Sequence, residues 1–226
     1  MTVGDSELQG YDEAQKEMMS ENCIIVDEDD NITGQDSKIN CHLGDGKLHR
    51  AFSVLIFNSN DKLLIQQRAD EKITFPSIWA NSCCSHPLYQ DREEEGIEGA
   101  KKAAIRKLEQ ELGINPNVIR TEDLNFITKM HYKARADEKW IEHEVDYIFV
   151  IKIDVEINPN QNEIQNTKYV DEKELNDLFS KANFNDVKVG PWFRLIKDNF
   201  LSKIWRNLES LESIADNEVH HLGEVK

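Results

Sequence analysis

Apolar residues arrive along this chain in two rhythms. Cys23-Ile-Ile-Val-Asp predicts a short strand, closed by the turn-forming run Glu28-Asp-Asp-Asn. Ala51–Asn58 and Lys62–Arg68 are apolar runs separated by Ser59-Asn-Asp, the pattern of a hairpin. A further short strand is expected around Ile78–Ser82. From Ile97 the period changes. Ala100, Ala104, Leu108 and Leu112 recur at four-residue spacing and Gly113 follows, which predicts a helix with a glycine stop. Asn125–Ala134 and His143–Asp154 return to the strand pattern. Asp171 with Glu174 three residues on is a capping box opening a helix to about Ala182. Pro191 opens a longer amphipathic helix through about Leu211. Residues 1–20 read as an extension or a loosely docked helix, and the tail over 212–226 as frayed. The sum is one domain over residues 21–211: an α/β (α+β) fold of mixed, largely antiparallel sheets packed between helices.

Composition narrows the function classes. The chain has 226 residues, 39% hydrophobic and 31% charged, with formal net charge −16. That average field repels nucleic acid and anionic membrane surfaces, so neither is expected as a partner. No stretch approaches 18 apolar residues. The opening residues lack the parts of a signal peptide and are too acidic for a transit peptide, so a cytoplasmic setting is expected. Cys23, Cys41, Cys83 and Cys84 form no C-x-x-C pair and are read as reduced thiols.

Five local patterns carry candidate chemistry. His42 and His49 flank a loop with two glycines and suit a divalent metal, but on this pattern alone a surface or core place is preferred. Cys84 stands two residues before His86, a thiol–imidazole pair or two buried core residues. Alternation puts Glu142, Glu144 and Asp146 on one face of a strand. Two such carboxylates repel unless a cation or shared proton relieves them. For Asp146 a solvated position is preferred. Residues 38–72 are locally basic in an acidic chain, which suits an anionic ligand such as a diphosphate; Lys47 and Lys62 are read as ordinary surface lysines. Glu111 ends the first clear helix beside its apolar stripe.

The window from Arg92 to Ile114 resembles a Nudix box, a loop–helix motif that binds a metal–diphosphate. Glu98, Arg106, Leu108, Glu111, Gly113 and Ile114 match; Arg92, Lys107 and Gln110 stand where the box has a glycine and two glutamates. A box so altered predicts the fold better than diphosphate hydrolysis. Read whole, the chain resembles the type I isopentenyl-diphosphate isomerases, in their longer eukaryotic-like form. The resemblance rests on Lys38-Ile-Asn-Cys-His-Leu, Leu48-His-Arg-Ala-Phe-Ser-Val, Leu63-Leu-Ile-Gln-Gln-Arg, Lys72-Ile-Thr-Phe-Pro, Cys83-Cys-Ser-His-Pro-Leu, Glu109-Gln-Glu-Leu-Gly-Ile, His131-Tyr-Lys-Ala, Glu142-His-Glu-Val-Asp-Tyr and Pro191-Trp-Phe, in family order from about residue 24 to 206.

The resemblance implies a Nudix-like fold and the conversion of isopentenyl diphosphate to dimethylallyl diphosphate in the mevalonate and related isoprenoid routes. It implies a divalent-metal site at His42, His49, His86, Glu142 and Glu144, taking Mg²⁺, Mn²⁺ or Zn²⁺. Lys38, Arg68, Lys72 and Ser85 match diphosphate-holding positions. Glu111 matches a residue that helps hold a second Mg²⁺ with the diphosphate. Cys84 and Glu144 take the proton-transfer roles, with Glu144 as acid and the Cys84 thiolate as base; the residue types also fit the reverse. Tyr132 and Trp192 match aromatic residues lining the hydrocarbon pocket. Protonating an unactivated alkene creates a tertiary carbocation, so the pocket must be closed, apolar and faced by an aromatic ring. A monomer acting on this small molecule is expected. The rivals are a Nudix hydrolase of a nucleoside diphosphate derivative and a metal-stabilised scaffold without turnover.

Overall fold

Strand β3 (His49–Phe57) is the axis of the molecule and is buried along its whole length. The structure, a computed structural model, describes residues 6–184 and 186–225. One edge of β3 pairs in parallel with β8 (Ile141–Lys152), from His49↔Glu144 to Phe57↔Lys152. Its other edge is shared among three strands. β1 (Asn22–Val26) meets it at His49, β6 (Cys83–Ser85) runs antiparallel against residues 52–54, and β4 (Leu63–Arg68) touches it at Phe57. Beyond β8 lie β7 (Asn125–Arg135), antiparallel, and β10 (Val219–Val225), parallel to β7. β2 (Ile32–Ser37) extends β1, and β4 carries β5 (Trp79–Ala80) and β9 (Ile164–Val170). The result is a mixed, mainly antiparallel sheet, as the sequence predicts.

Side chains alternate across this sheet, and each face finds a helical cover. On one face Val54, Ile56, Val145 and Phe149 pack against α3 (Gly96–Leu112) through Ala100, Ala104 and Leu108. On the other, Leu55, Met130, Ile148 and Val150 pack against α4 (Glu172–Asn183), α5 (Pro191–Ile196) and α6 (Ser202–Arg206). α3 stops at Gly113, whose left-handed φ of 64° and close approach to the Asn158 carbonyl leave no room for a Cβ. The capping box at Asp171 and Glu174 forms in both directions and opens α4.

Several sequence expectations need correction. The 51–58 and 62–68 runs are both strands, but their hairpin contact is one pair, Phe57↔Leu63. β6 occupies the edge of β3 that a longer hairpin would need, and β4 turns to β9 and β5 instead. The expected 78–82 strand is two short ones, β5 and β6. The expected helix from Pro191 to about Leu211 is α5, a π-turn over Lys197–Leu201, and α6, ending at Arg206. The tail is not frayed: six of its residues pair with β7. Within the N-terminal extension, whose residues 1–5 lie outside the described ones, α1 (Glu13–Met18) is capped by Asp12. It is docked rather than loose, since Gln15 and Met19 are buried.

Candidate active site

One row of side chains crosses three adjacent strands. The registers Tyr132↔Glu144 and Glu144↔His49 set these residues side by side on β7, β8 and β3. Alternation along β8 then carries Glu142, Glu144 and Asp146 to the same face as the core residues Ile148 and Val150. α2 (Lys38–His42), capped by Ser37, brings His42 to this row at its last turn. His86 enters just past β6.

His42, His49, His86, Glu142 and Glu144 are all buried, and each offers a donor atom within 4.8 Å of the others. Two imidazoles are oriented from behind. His42 Nδ1 lies 2.7 Å from the Lys38 carbonyl and His49 Nδ1 lies 2.7 Å from the Lys47 carbonyl. Each Nδ1–H therefore donates outward, and each Nε2 faces the cluster. This is the support that metal-binding histidines receive. His42 Nε2 is 2.7 Å from Glu142 Oε2, and His86 Nε2 is 2.9 Å from Glu144 Oε1. Yet His42 Nε2, His49 Nε2 and Glu142 Oε2 have no hydrogen-bond partner among the described residues. Buried polar atoms left so are costly. A divalent cation accepting their lone pairs removes that cost, so the donor set fits a metal of mixed N/O preference.

Burial sets the protonation of the cluster. It pushes His49 down to about 3, with His42 adding to the shift, and His86 well below its usual range, with Lys38 adding. All three requirements of a neutral imidazole ligand are thereby met at His49: burial, a fixed tautomer and a free lone pair. Burial also raises Glu144, helped by Glu142 and Asp146 beside it. At Glu142 the same burial is outweighed by His42 and His49, which hold the carboxyl low.

The predicted site residues meet in one pocket. Lys38, Arg68, Lys72, Cys84, Ser85 and Trp192 line it together with Tyr132 and the two glutamates. The Arg68 fork is fixed by the loop ahead of β5: Nε donates to the Phe75 carbonyl (3.0 Å) and Nη2 to that of Thr74 (2.8 Å). Nη1 stands 4.0 Å from Cys84 Sγ. Lys72 Nζ is 2.6 Å from Glu163 Oε2. The Tyr132 hydroxyl donates to Glu144 Oε2. The Trp192 indole N–H donates to Asn81 (3.0 Å), which fixes the ring against the pocket and the core at once. Arg68 lies 5.7 Å over that ring. Cys84 faces Ser53 across the β3–β6 pair, and burial holds its thiol up to about 12, with Arg68 opposing.

Two placements differ from the sequence reading or stand apart. Asp146 is not solvated. It is 1% exposed, lines the pocket, accepts from the Ser53 hydroxyl (2.8 Å) and has its carboxyl pushed up to about 8 by burial. Its position two residues past Glu144 on a strand was the signal; the face looked polar, so its burial was not legible. Glu111 does not join the five donors. It is buried behind β6, 3.2 Å from Lys107 Nζ and 3.6 Å from Cys83 Sγ. Gln15 and Met19 of the N-terminal segment also line the pocket, and no motif pointed to them. Lys47 is surface-exposed as expected, whereas Lys62 is half-buried and paired with Asp171 and Glu174.

Residues 47–193 match the NUDIX domain family. Isopentenyl-diphosphate Delta-isomerase 1 of Bos taurus is 47% identical over 216 residues, covering 93% of this chain and 95% of that protein. The chloroplastic isopentenyl-diphosphate Delta-isomerase I of Arabidopsis thaliana is 46% identical, covering 98% and 80%. Among solved structures, the DR0079 protein of Deinococcus radiodurans superposes with a TM-score of 0.58 at 15% identity, covering 80% of this chain and 99% of that one. That likeness shows the fold. Identity near one half along nearly the whole chain shows more: within the Nudix fold, this chain belongs to the isopentenyl-diphosphate Delta-isomerase family.

Proposed function

We propose that this chain interconverts isopentenyl diphosphate and dimethylallyl diphosphate by adding a proton at one end of the allyl unit and removing one two carbons away. One observation carries the reading. A single pocket joins the buried His/Glu cluster to the cations Lys38, Arg68 and Lys72, to the proton carriers Cys84 and Glu144, and to the Trp192 ring. Lys38, Arg68, Lys72 and Ser85 bind the diphosphate, and Glu111, now paired with Lys107 outside this pocket's lining, would help hold the accompanying Mg²⁺ on giving up that pair. Trp192 faces the cationic carbon skeleton, where a desolvated ring contributes about 2 kcal/mol or more. Tyr132 keeps Glu144 oriented through its hydroxyl. Met19 and Phe52 add apolar surface to the pocket wall, which limits water beside the cation.

A divalent cation among the three imidazoles and two carboxylates, when bound, supplies the positive charge that lets the carboxylates stay side by side. The proposed ion is Mg²⁺, Mn²⁺ or Zn²⁺: five donors suit a six-coordinate ion such as Mg²⁺ or Mn²⁺, while the three imidazoles bind Zn²⁺ more tightly. Glu144 holds the proton to be delivered, which its raised carboxyl supports. Cys84, on β6 and lining the same pocket, receives the proton removed. One observation favours the reverse order: the Cys84 thiol, held up to about 12, starts with a proton of its own. Alkylation of Cys84 against pH in metal-loaded protein decides between them. Reaction near neutral pH marks a thiolate base, whereas protection until strongly alkaline pH marks a thiol donor.

The hydrolase rival is disfavoured at Lys107. Its ammonium stands where a Nudix box has a glutamate and is paired with Glu111. The reading also takes the isoprenoid route through mevalonate, a monomer and a cytoplasmic setting, tested by gel filtration and cell fractionation. Among the described residues no helix is long and apolar enough to cross a membrane. The deciding experiment is NMR of isopentenyl diphosphate with the purified protein and Mg²⁺ in D₂O. Dimethylallyl diphosphate with deuterium in its new methyl group is expected. No conversion by folded, metal-loaded protein overturns the proposal.

A further inference from the structure

Lys72 is an unusual place for a charge. It lines the pocket, yet its ammonium is deep enough that burial lowers its proton affinity. A lysine in that position needs a permanent partner if it is to meet an anion already charged. Glu163, at the start of β9, is that partner. It is 2% exposed and does not line the pocket itself. Its Oε2 is 2.6 Å from Lys72 Nζ. Its Oε1 accepts from Gln15 Nε2 of α1 at 3.0 Å, and Gln15 does line the pocket. Its backbone carbonyl accepts from Ala69 N–H at 3.0 Å, which pins the segment leading to Lys72. Asn162 holds the same Gln15 amide through its carbonyl (3.1 Å) and side chain (2.8 Å). The carboxyl of Glu163 stays ionised: burial pushes it up, but Lys72 and Lys107 hold it at about 2.

We propose that Glu163 is a positioning residue, which fixes the Lys72 ammonium at the pocket wall and fastens Gln15 of α1 beside it, so that the anionic end of the substrate meets a preset cation. The inference rests on reading this pocket as a diphosphate site. Glu163 works through Lys72 and touches no substrate atom. Lys72 has three N–H donors, one committed to Glu163, so two are left for the ligand. Its net effect is favourable because holding a buried charge in place removes an ordering and desolvation cost from binding.

The test is calorimetric titration of the full chain with inorganic pyrophosphate, alongside steady-state turnover. Glu163→Gln keeps the shape and the bond to Gln15 but removes the charge. It is expected to weaken pyrophosphate binding and raise KM by about tenfold, with kcat changed by less than about twofold. On a Lys72→Ala background the same substitution is expected to add nothing, since it acts through Lys72. Glu163→Asp keeps the charge but retracts it by one methylene from Lys72 and Gln15; it is expected to weaken pyrophosphate binding by about threefold, and binding as tight as wild type in this variant overturns the inference if the glutamine variant fails to fold. Unchanged or tighter binding in Glu163→Gln overturns the inference. So do additive losses on the Lys72→Ala background, or a wild type that does not bind pyrophosphate. Wild-type protein that shows the full pyrophosphate contrast but converts no isopentenyl diphosphate counts against the isomerase reading alone.

Discussion

At the scale of single residues, the chemistry is divided between groups that hold protons and groups that hold those groups. Tyr132 belongs to the second kind, because its hydroxyl is spent on Glu144. Tyr132→Phe keeps the ring and the packing, so KM should change little while kcat falls by about tenfold to a hundredfold in the NMR conversion assay. Asp146 offers a cleaner measurement in metal-free protein. Its folded carboxyl titrates at about 8 through burial, far above its unfolded value. The folded state therefore binds the extra proton between those limits, and the Asp146 contribution is lost as pH rises through them. Asp146→Asn cannot ionise. Its melting temperature should match wild type near pH 4 and exceed it near pH 8; equal melting at both would show that Asp146 is not buried as an acid. The site residues were named through the family resemblance: around His42, His49, Cys84, His86 and the paired glutamates each local pattern left a core or surface reading open, and the structure brings these residues to one cluster and pocket. The burial of Asp146 was not legible, because a run of alternating carboxylates on a strand does not say which face is covered.

Elements were legible in proportion to their apolar contrast. β3, β8 and α3 announce themselves by long apolar runs or a four-residue period, and their bounds fall within a few residues of expectation. β9 and β10 do not. Ile164–Val170 is largely polar between its buried ends, and Val219–Val225 carries two histidines, a glycine and no fully buried residue. Their strand state comes from an open edge offered by β4 and by β7, not from their own composition. Docking on an edge has a measurable consequence. Removing residues 214–226 should lower the melting temperature by several degrees and promote association, since β7 then presents an unpaired edge. An unchanged melt and a monodisperse truncated protein would show that β10 contributes nothing.

For the molecule as a whole, the charges are segregated. The chain carries −16 overall, yet Lys38, Arg68 and Lys72 collect in one pocket beside His49 and His86, which burial keeps uncharged. That cluster also joins α2, β3, the end of β6 and β8, so a bound cation links distant parts of the fold. Chelation should therefore lower the melting temperature, by roughly 5–10 °C for an ion present at a hundred times its dissociation constant. Calorimetry with and without chelator, followed by separate addition of Mg²⁺, Mn²⁺ and Zn²⁺, measures the loss and ranks the ions. The parallel β3–β8 ladder has a further consequence, for how the chain reaches this state. Every rung, from His49↔Glu144 to Phe57↔Lys152, joins positions 95 residues apart. No short-range contact can nucleate such a ladder, and closing so long a loop is a slow, high-contact-order step. A nascent chain released before β8 has emerged holds all three histidines and neither carboxylate. The row of Tyr132, Glu144 and His49 should thus be among the last features the protein acquires, and the rate of gaining activity during refolding should report the closing of that ladder.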